Sequence, residues 1–395
     1  METLNHDCLK IIFSYFNLSE RLKLEKVCKK WMNTMPYHDC HQIIERFDIL
    51  ALIKWKQYQT VQVRHGSCAH CDQDMSTYVS QYYLLEALIF FLSRFGKALK
   101  SVVFNSNCHL ACLVTPEILN VISVYANQTT SLDFSRCLIM DTALKVIYDK
   151  YRLKSILIDH CTFIDCDQWV VIDGCNIIEE VIGKSSNTLQ TIDLRGIKSG
   201  RLQFSKSLLE NGGKLTKLVL VECYITYADL EEIIQCNTET IRYLELSSCL
   251  SVLRFDAVAQ LRNLSVLILR QSMIAIGDFQ SICQNCKYIS HLHLEMCPRL
   301  TDLSSIEVLK FTLKHLSVLG RSMHISDEIL ERLIRSGGNL KCLEIIDCVV
   351  SNEAFRRIVP LARNITIRFR GTGMSQTTVE ALRNMGNTVV RIDRF

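Results

Sequence analysis

The sequence predicts an α/β solenoid, a curved stack of strand–helix units with a parallel sheet on the concave side and helices on the convex side, behind a short all-helical head. Three observations predict the stack. An apolar residue followed by x-x-L-x-L recurs along most of the chain. From Leu189 the copies start at 189, 215, 241, 264, 289, 313 and 340, spacings of 26, 26, 23, 25, 24 and 27 residues. The ninth position of six copies is cysteine, namely Cys137, Cys161, Cys223, Cys249, Cys297 and Cys348. A fixed period in the twenties marks a repeat in which each unit stacks on its neighbours.

The strand comes first in each copy. Alternate residues of a strand point to opposite faces, so Leu218 and Leu220 are expected inward, and Lys217, Val219 and Val221 outward. A helix follows. Residues 229–234 place Leu230, Ile233 and Ile234 on one face, and residues 327–334 do the same with Ile329, Leu330, Leu333 and Ile334. One unit cannot bury its own apolar side, so stacking is required. Weaker copies start near Leu99, Thr129 and Asn364, which gives about eleven repeats over 97–395. Six of nineteen cysteines at one phase read as small buried residues where strand turns to helix, a role suited to free thiols. The array resembles the cysteine-containing class of leucine-rich repeats.

The head begins at Leu4. Leu9, Ile12, Phe13, Leu18, Leu22, Val27 and Trp31 are spaced as three short amphipathic helices, with a break and a cap at residues 17–19. So small a unit has too little core to stand alone, and its apolar residues imply a partner surface. The order L-x-x-x-x-L, I-F-x-x-x-x-L, R-L, V-C-x-x-W resembles the F-box family, and Leu4, Leu9, Ile12, Phe13, Leu18, Arg21, Leu22, Val27, Cys28 and Trp31 fill the matching places. Asn5 stands where the family has proline and Asp7 where it has glutamate; asparagine still caps a first helix. The resemblance implies binding of a Skp-type adaptor through Leu4, Leu9, Ile12, Phe13, Leu18, Leu22, Val27 and Trp31. Through that adaptor come the cullin and RING subunits of an SCF ubiquitin ligase. The chain would then be a non-catalytic receptor that brings a target lysine near the ubiquitin thioester. The alternative is a leucine-rich-repeat scaffold acting outside a ubiquitin ligase.

The expected organisation is a head over 1–45, a linker and helical cap over 46–96, and the solenoid over 97–395. Residues 82–95 are apolar nearly all round and read as the helix of a buried first repeat. Cys68 and Cys71, flanked by His65 and His70, form a C-x-x-C; without a second such pair or a spaced His-x-x-x-His they read as loop thiols, with His38, Cys40 and His41 as the further ligands a zinc reading would need. From Leu153 to Leu189 is 36 residues, so an insertion follows Cys161, carrying Asp165, Asp167, Trp169 and Asp173. It is either a binding loop or a longer helix.

Several classes of function are set aside. A net charge of +4 over 395 residues does not point to nucleic acid as the main partner. The longest apolar run, 84–92, is too short to cross a bilayer. The amino terminus lacks a signal-peptide pattern, so reduced thiols and a cytoplasmic or nuclear place are expected. No nucleotide-binding, zinc-protease or serine-hydrolase motif is present, and no cofactor, metal or catalytic residue is expected.

The recognition surface is sought on the outward strand residues. The third-position row runs Ser155, Thr191, Lys217, Tyr243, Val266, His291, His315, Cys342; the fifth Leu157, Asp193, Val219, Glu245, Ile268, His293, Ser317, Glu344; the seventh Asp159, Arg195, Val221, Ser247, Arg270, Glu295, Leu319, Ile346. Val219, Val221, Val266 and Ile268 around Tyr243 are read as an accessible apolar patch edged by charge, which suits a protein partner. The candidate contacts are Val219, Tyr243, Val266, Ile268, Arg270, His291, His293, Glu295 and His315. The histidines would make affinity change between roughly pH 6 and 7.

Overall fold

A repeat that buries one face of every strand and one stripe of every helix should leave a core of aligned aliphatic layers, and the computed structural model has that form. It describes residues 46–48, five positions between 85 and 93, 96–105, 113–370 except for 169, 198–199, 204–207, 209–212, 337–338, 349, 359–360 and 362–364, and 390–392. The head and the C-x-x-C lie outside the described residues. The chain divides into two units, residues 1–153 with 162–171, and residues 154–161 with 172–395.

In the first unit, β1 (Arg46–Asp48) pairs in parallel with β2 (Ser101–Asn105). Part of the stretch read as linker and cap is thus a strand. Helical positions 88 and 92 are fully buried, as expected for the stretch 82–95. A small parallel sheet starts with β3 (Leu113–Val114). Helix α1 (Pro116–Tyr125) opens on the Thr115 cap with proline at its first turn, and buries Ile118, Leu119 and Ile122. Strand β4 (Ser131–Ser135) pairs with β2, β5 (Leu138–Met140) pairs with β3, and α2 (Asp141–Lys150) follows.

The second unit begins with β6 (Ser155–Asp159). The insertion after Cys161 returns to the first unit as β7 (Thr162–Ile164), paired with β5. Asp165 Oδ1 accepts the N–H groups of Asp167 and Gln168 at 2.8 Å each, so this segment is a tight turn and not a lengthened helix. Strand β8 (Val171–Ile172) spans the sequence boundary, and α3 (Cys175–Ser185) follows.

From there the repeat is regular. Strand β9 (Thr191–Arg195) leads to β10 (Lys217–Val221), α4 (Tyr227–Cys236), β11 (Tyr243–Ser247), the 3-10 helix η1 (Asp256–Gln260) and β12 (Val266–Arg270). Then come α5 (Ile276–Asn285), β13 (His291–Glu295), η2 (Ser304–Leu309), β14 (His315–Leu319), α6 (Asp327–Ser336), β15 (Cys342–Ile346), α7 (Asn352–Ile358), β16 (Thr366–Arg370) and β17 (Val390–Ile392). Every neighbouring pair from β9 to β17 is parallel, and β6 pairs in parallel with β9. Leu218 lies beside Leu244, as the expected parallel sheet requires.

Repeat length decides the kind of helix. The two shortest repeats, 241 to 264 and 289 to 313, hold η1 and η2; those of 25 residues or more starting at 215, 264 and 313 hold α4, α5 and α6. A 3-10 helix rises about 2.0 Å per residue against about 1.5 Å for an α-helix, so it spans a repeat with fewer residues.

The strand-to-helix bend has two recurring parts. The eighth position turns left-handed in repeat after repeat: Arg136, His160, Glu222, Ser248, Gln271, Met296 and Asp347 have φ from 48° to 56°. Gly196 and Gly320 take this position at 71° and 134°. In the second unit its N–H donates to the last strand carbonyl of the next repeat, as Glu222 does to Ser247 at 2.8 Å. The ninth-position cysteine then ties back to the previous repeat. The thiol of Cys223 donates to the carbonyl of Leu194 at 3.3 Å, Cys249 to Leu220 at 3.4 Å, Cys297 to Leu269 at 3.6 Å and Cys348 to Val318 at 3.4 Å. Burial pushes these groups up, Cys223 to about 12 and Cys249 and Cys348 to about 11, so they stay protonated packing residues.

One buried charge is tied into the helix layer. Asp229 and Thr226 cap α4 reciprocally, and Arg201 reaches Asp229 with two bonds of 2.8 and 3.0 Å. Burial by itself would raise the pKa of this carboxyl, but the bonds from Arg201 and Thr226 outweigh it and hold the pKa below its ordinary value. Its contribution is therefore present above about pH 4 and lost as pH falls through the folded value. Asp229→Ala is expected to cost about 2 kcal/mol in urea unfolding, from the lost cap and the broken bonds to Arg201. An unchanged urea midpoint at pH 7 would show the cap to be dispensable.

Candidate recognition surface

The outward face of the second unit is ordered by strand register. Lys217 lies beside Tyr243, Tyr243 beside Val266, Val266 beside His291, His291 beside His315, and His315 beside Cys342. The fifth- and seventh-position rows follow the same register, so the structure brings together the residues that the repeat phase placed in rows.

Their accessibility differs from the sequence expectation. Val219 is fully buried. It sits between Asp193 on β9 and Glu245 on β11, which are 3% and 2% exposed. Arg195 closes the space above it. Its Nε lies 2.7 Å from Asp193, and its Nη2 lies 3.6 Å from Glu245, two strands away. A side chain that bridges β9 to β11 must pass over β10, and Val219 is lost as a contact residue. Tyr243, Val266, Ile268 and Val221 are half-buried, so the apolar patch is smaller than expected and framed by charge.

The frame is a continuous polar network. Glu245 accepts from Arg270 at 2.6 Å and from the Tyr243 hydroxyl at 3.2 Å. Arg270 continues to Glu295 at 3.1 Å and His293 Nε2 at 3.2 Å, and His293 lies 3.2 Å from Glu295. Lys217 stands 4.9 Å over the Tyr243 ring and 3.7 Å from Asp193. Burial, then the charge and hydrogen bond of Glu245, push the Tyr243 phenol up to about 12. Asp193 and Glu245 lie underneath and the cations above, so a partner meets guanidinium, ammonium, imidazole, the Glu295 carboxylate and half-buried aliphatic side chains.

His291 and His315 stack at 4.3 Å between ring centroids, 12° from parallel. Burial, then His315 and Lys314, lower the proton affinity of His291. It therefore charges below the usual histidine value of about 6.5. The expected pH window moves down accordingly for this residue, and its neutral form favours the fold as pH rises. Among the described residues no group of three or more His, Cys, Asp or Glu side chains is arranged to hold a metal ion. No described helix is long and apolar enough to cross a membrane.

Sequence reasoning missed the burial of Asp193 and Glu245 on an outward face. The signal was available: an acid in the fifth position with arginine at the seventh position of its own strand, as Arg195 to Asp193, or of the next strand, as Arg270 to Glu245.

The adaptor-binding candidates Leu4, Leu9, Ile12, Phe13, Leu18, Leu22, Val27 and Trp31 lie outside the described residues. The comparison with known families bears on that segment, and the F-box domain matches residues 1–43. No curated protein matches the chain. Among solved structures, a chain from the Rad7 and Elc1 complex in yeast is similar at 14% identity and a TM-score of 0.56, over 94% of this chain and 90% of that one. An internalin from Listeria monocytogenes is similar at 15% identity and a TM-score of 0.50, over 79% and 95%. A leucine-rich-repeat protein of Leptospira interrogans is similar at 14% identity and a TM-score of 0.41, over 75% and 90%. The chain thus carries an F-box domain match over residues 1–43, and behind it a parallel-sheet solenoid of repeat period in the twenties whose fold is similar to that of the chain from the Rad7 and Elc1 complex.

Proposed function

We propose that the chain is the substrate-recognition subunit of an SCF-type ubiquitin ligase. The observation that carries this reading is the F-box domain match at residues 1–43, ahead of a solenoid. The similar fold of a chain taken from a two-protein complex, Rad7 with Elc1, supports it. The F-box binds a Skp-type adaptor, and through it the cullin and RING subunits. The outward sheet face around Tyr243, Val266, Ile268, Arg270, His291, His293, Glu295 and His315 holds the target protein. The receptor performs no bond chemistry. It raises the local concentration of a target lysine near the ubiquitin thioester, in the cytoplasm or nucleus, and so commits the target to the proteasome.

The test is capture of targets in cells with cullin activation blocked. Proteins enriched by the wild-type chain should be lost with the triple variant Tyr243→Glu, Ile268→Glu, His293→Glu, while the adaptor is retained. Three carboxylates set into a half-buried face beside Glu245 and Glu295 add like-charge repulsion and unpaired desolvated charge, worth several kcal/mol of binding. Full capture by the triple variant would move the target site off the sheet face. Capture with no adaptor at all would favour a scaffold acting outside a ligase.

A further inference from the structure

The residues that lead into the strands of the second unit carry a second, unassigned surface. Lys154, Lys214, Arg242, Arg262, Lys287, Lys314 and Lys341 are all exposed there. Each precedes a different strand, β6, β10, β11, β12, β13, β14 and β15, so six of them stand in the segments that lead into six consecutive strands. At about 4.8 Å per strand, these six cations span roughly 24 Å along one edge. The only acid in these lead-in segments is Glu239, which faces Arg262 at 3.6 Å. Lys154, Lys214, Arg242, Lys287, Lys314 and Lys341 have no carboxylate partner among the described residues. The adjoining third-position row adds Lys217, His291 and His315 and contains no acid. On a chain of net charge +4, this concentrates the excess positive charge on one line.

Exposed apolar side chains accompany the line. Tyr288 is 64% exposed, Phe311 63% and Val308 52%. Elsewhere in the helix layer, cations are commonly neutralised by design of the repeat: Arg332 is paired with Glu307, Arg335 with Glu331 and Arg357 with Glu353. The unpaired edge therefore differs from the rest of the surface in a way that costs self-repulsion, and a bound polyanion would relieve it.

We infer that this edge docks an acidic polypeptide segment, with carboxylates along the lysine line and apolar side chains against Tyr288, Phe311 and Val308. The cations lie between two residues before and one residue after each repeat start, a narrow edge that fits an extended chain better than the plane of a membrane. Lysines outnumber arginines five to two, which suits point-charge attraction to carboxylates over the forked recognition of phosphate. The lowered proton affinity of His291, caused in part by Lys314 after burial and His315, is consistent with the positive potential here. This surface adjoins the sheet face at Lys217, His291 and His315, and the inference does not depend on the sheet-face reading.

The experiment uses the full-length chain and a fluorescent twelve-residue glutamate-rich peptide containing two leucines, read by anisotropy. Binding is expected at about 50 mM salt and should weaken steeply by about 300 mM, because the contacts are exposed and screened. Lys287→Glu, Lys314→Glu and Lys341→Glu together should weaken binding at least about tenfold with an unchanged melting temperature. A charge-matched set, Lys97→Glu, Lys145→Glu and Arg356→Glu, should weaken it far less. Absence of salt-dependent binding overturns the inference, as does equal weakening by the two sets. Tighter binding of a twelve-nucleotide oligothymidylate or of phosphatidylserine vesicles, lost in the same lysine variant, also overturns it and assigns the edge to nucleic acid or membrane.

Discussion

Replacing Ile12 and Phe13 together by alanine is expected to abolish co-purification of a Skp-type adaptor with the full-length chain. Both lie in the segment matched as an F-box domain, at the I-F step of its pattern. A head of about forty residues cannot enclose all of its apolar side chains, so those it presents to a partner carry most of the contact energy. Two such anchors at about 2 kcal/mol each amount to roughly a thousandfold in affinity. The second unit should keep its far-ultraviolet circular dichroism and urea midpoint. If the adaptor is retained in full, the interface lies elsewhere. If instead the solenoid melts earlier, the head is a cap on the repeats and not an adaptor-binding element.

Glu245→Ala should produce the largest single loss of stability on the sheet face. Its carboxylate is 2% exposed as a residue and accepts from Arg270 at 2.6 Å, with Arg195 at 3.6 Å and the Tyr243 hydroxyl at 3.2 Å. Removing it takes away the carboxylate that Arg195 and Arg270 share and leaves Arg195 to Asp193 and Arg270 to Glu295. Breaking a fully buried pair costs about 3–5 kcal/mol. Here the arginine side chains are 30% and 37% exposed, so solvent screens part of the cost and about 2 kcal/mol is expected. Urea unfolding of the variant measures it. Glu245→Gln should recover part of the loss, since the amide oxygen still accepts from Arg270 and Tyr243. A variant as stable as wild type would mean that the network contributes nothing and that the acid is kept for binding alone.

The repeat was legible because its cause is local. Leu218, Leu244, Leu267, Leu292, Leu316 and Leu343 share one phase, and any chain with that phase must stack to hide them. The cysteine at the ninth position was legible for the same reason, since a small apolar residue must fill the bend in each unit. The left-handed turn just before it was not. Its occupants, such as Glu222, Gln271 and Met296, share no chemistry, and only Gly196 and Gly320 hint at the backbone they require. The extra strands β1 and β17 were missed because residues 46–48 and 390–392 lack the x-L-x-L signature and pair on backbone geometry alone.

On the sheet face the division is sharper. Register, and so the rows of Tyr243, Ile268 and His293, followed from sequence phase, because a solenoid aligns equal positions in every unit. Which of those residues a partner can touch did not follow. Val219 is as apolar as Val266, yet it is fully buried while Val266 is half-buried. The difference is the reach of Arg195 to Glu245, across two strands that are 50 residues apart in sequence, 195 against 245. The sequence by itself determined the stack of parallel strands, through periodicity and spacing, and carried the F-box pattern of residues 1–43. Tertiary structure decided which charges pair across the strands and which stay unpaired along the edge, because ion pairing depends on distances between repeats that no single repeat encodes.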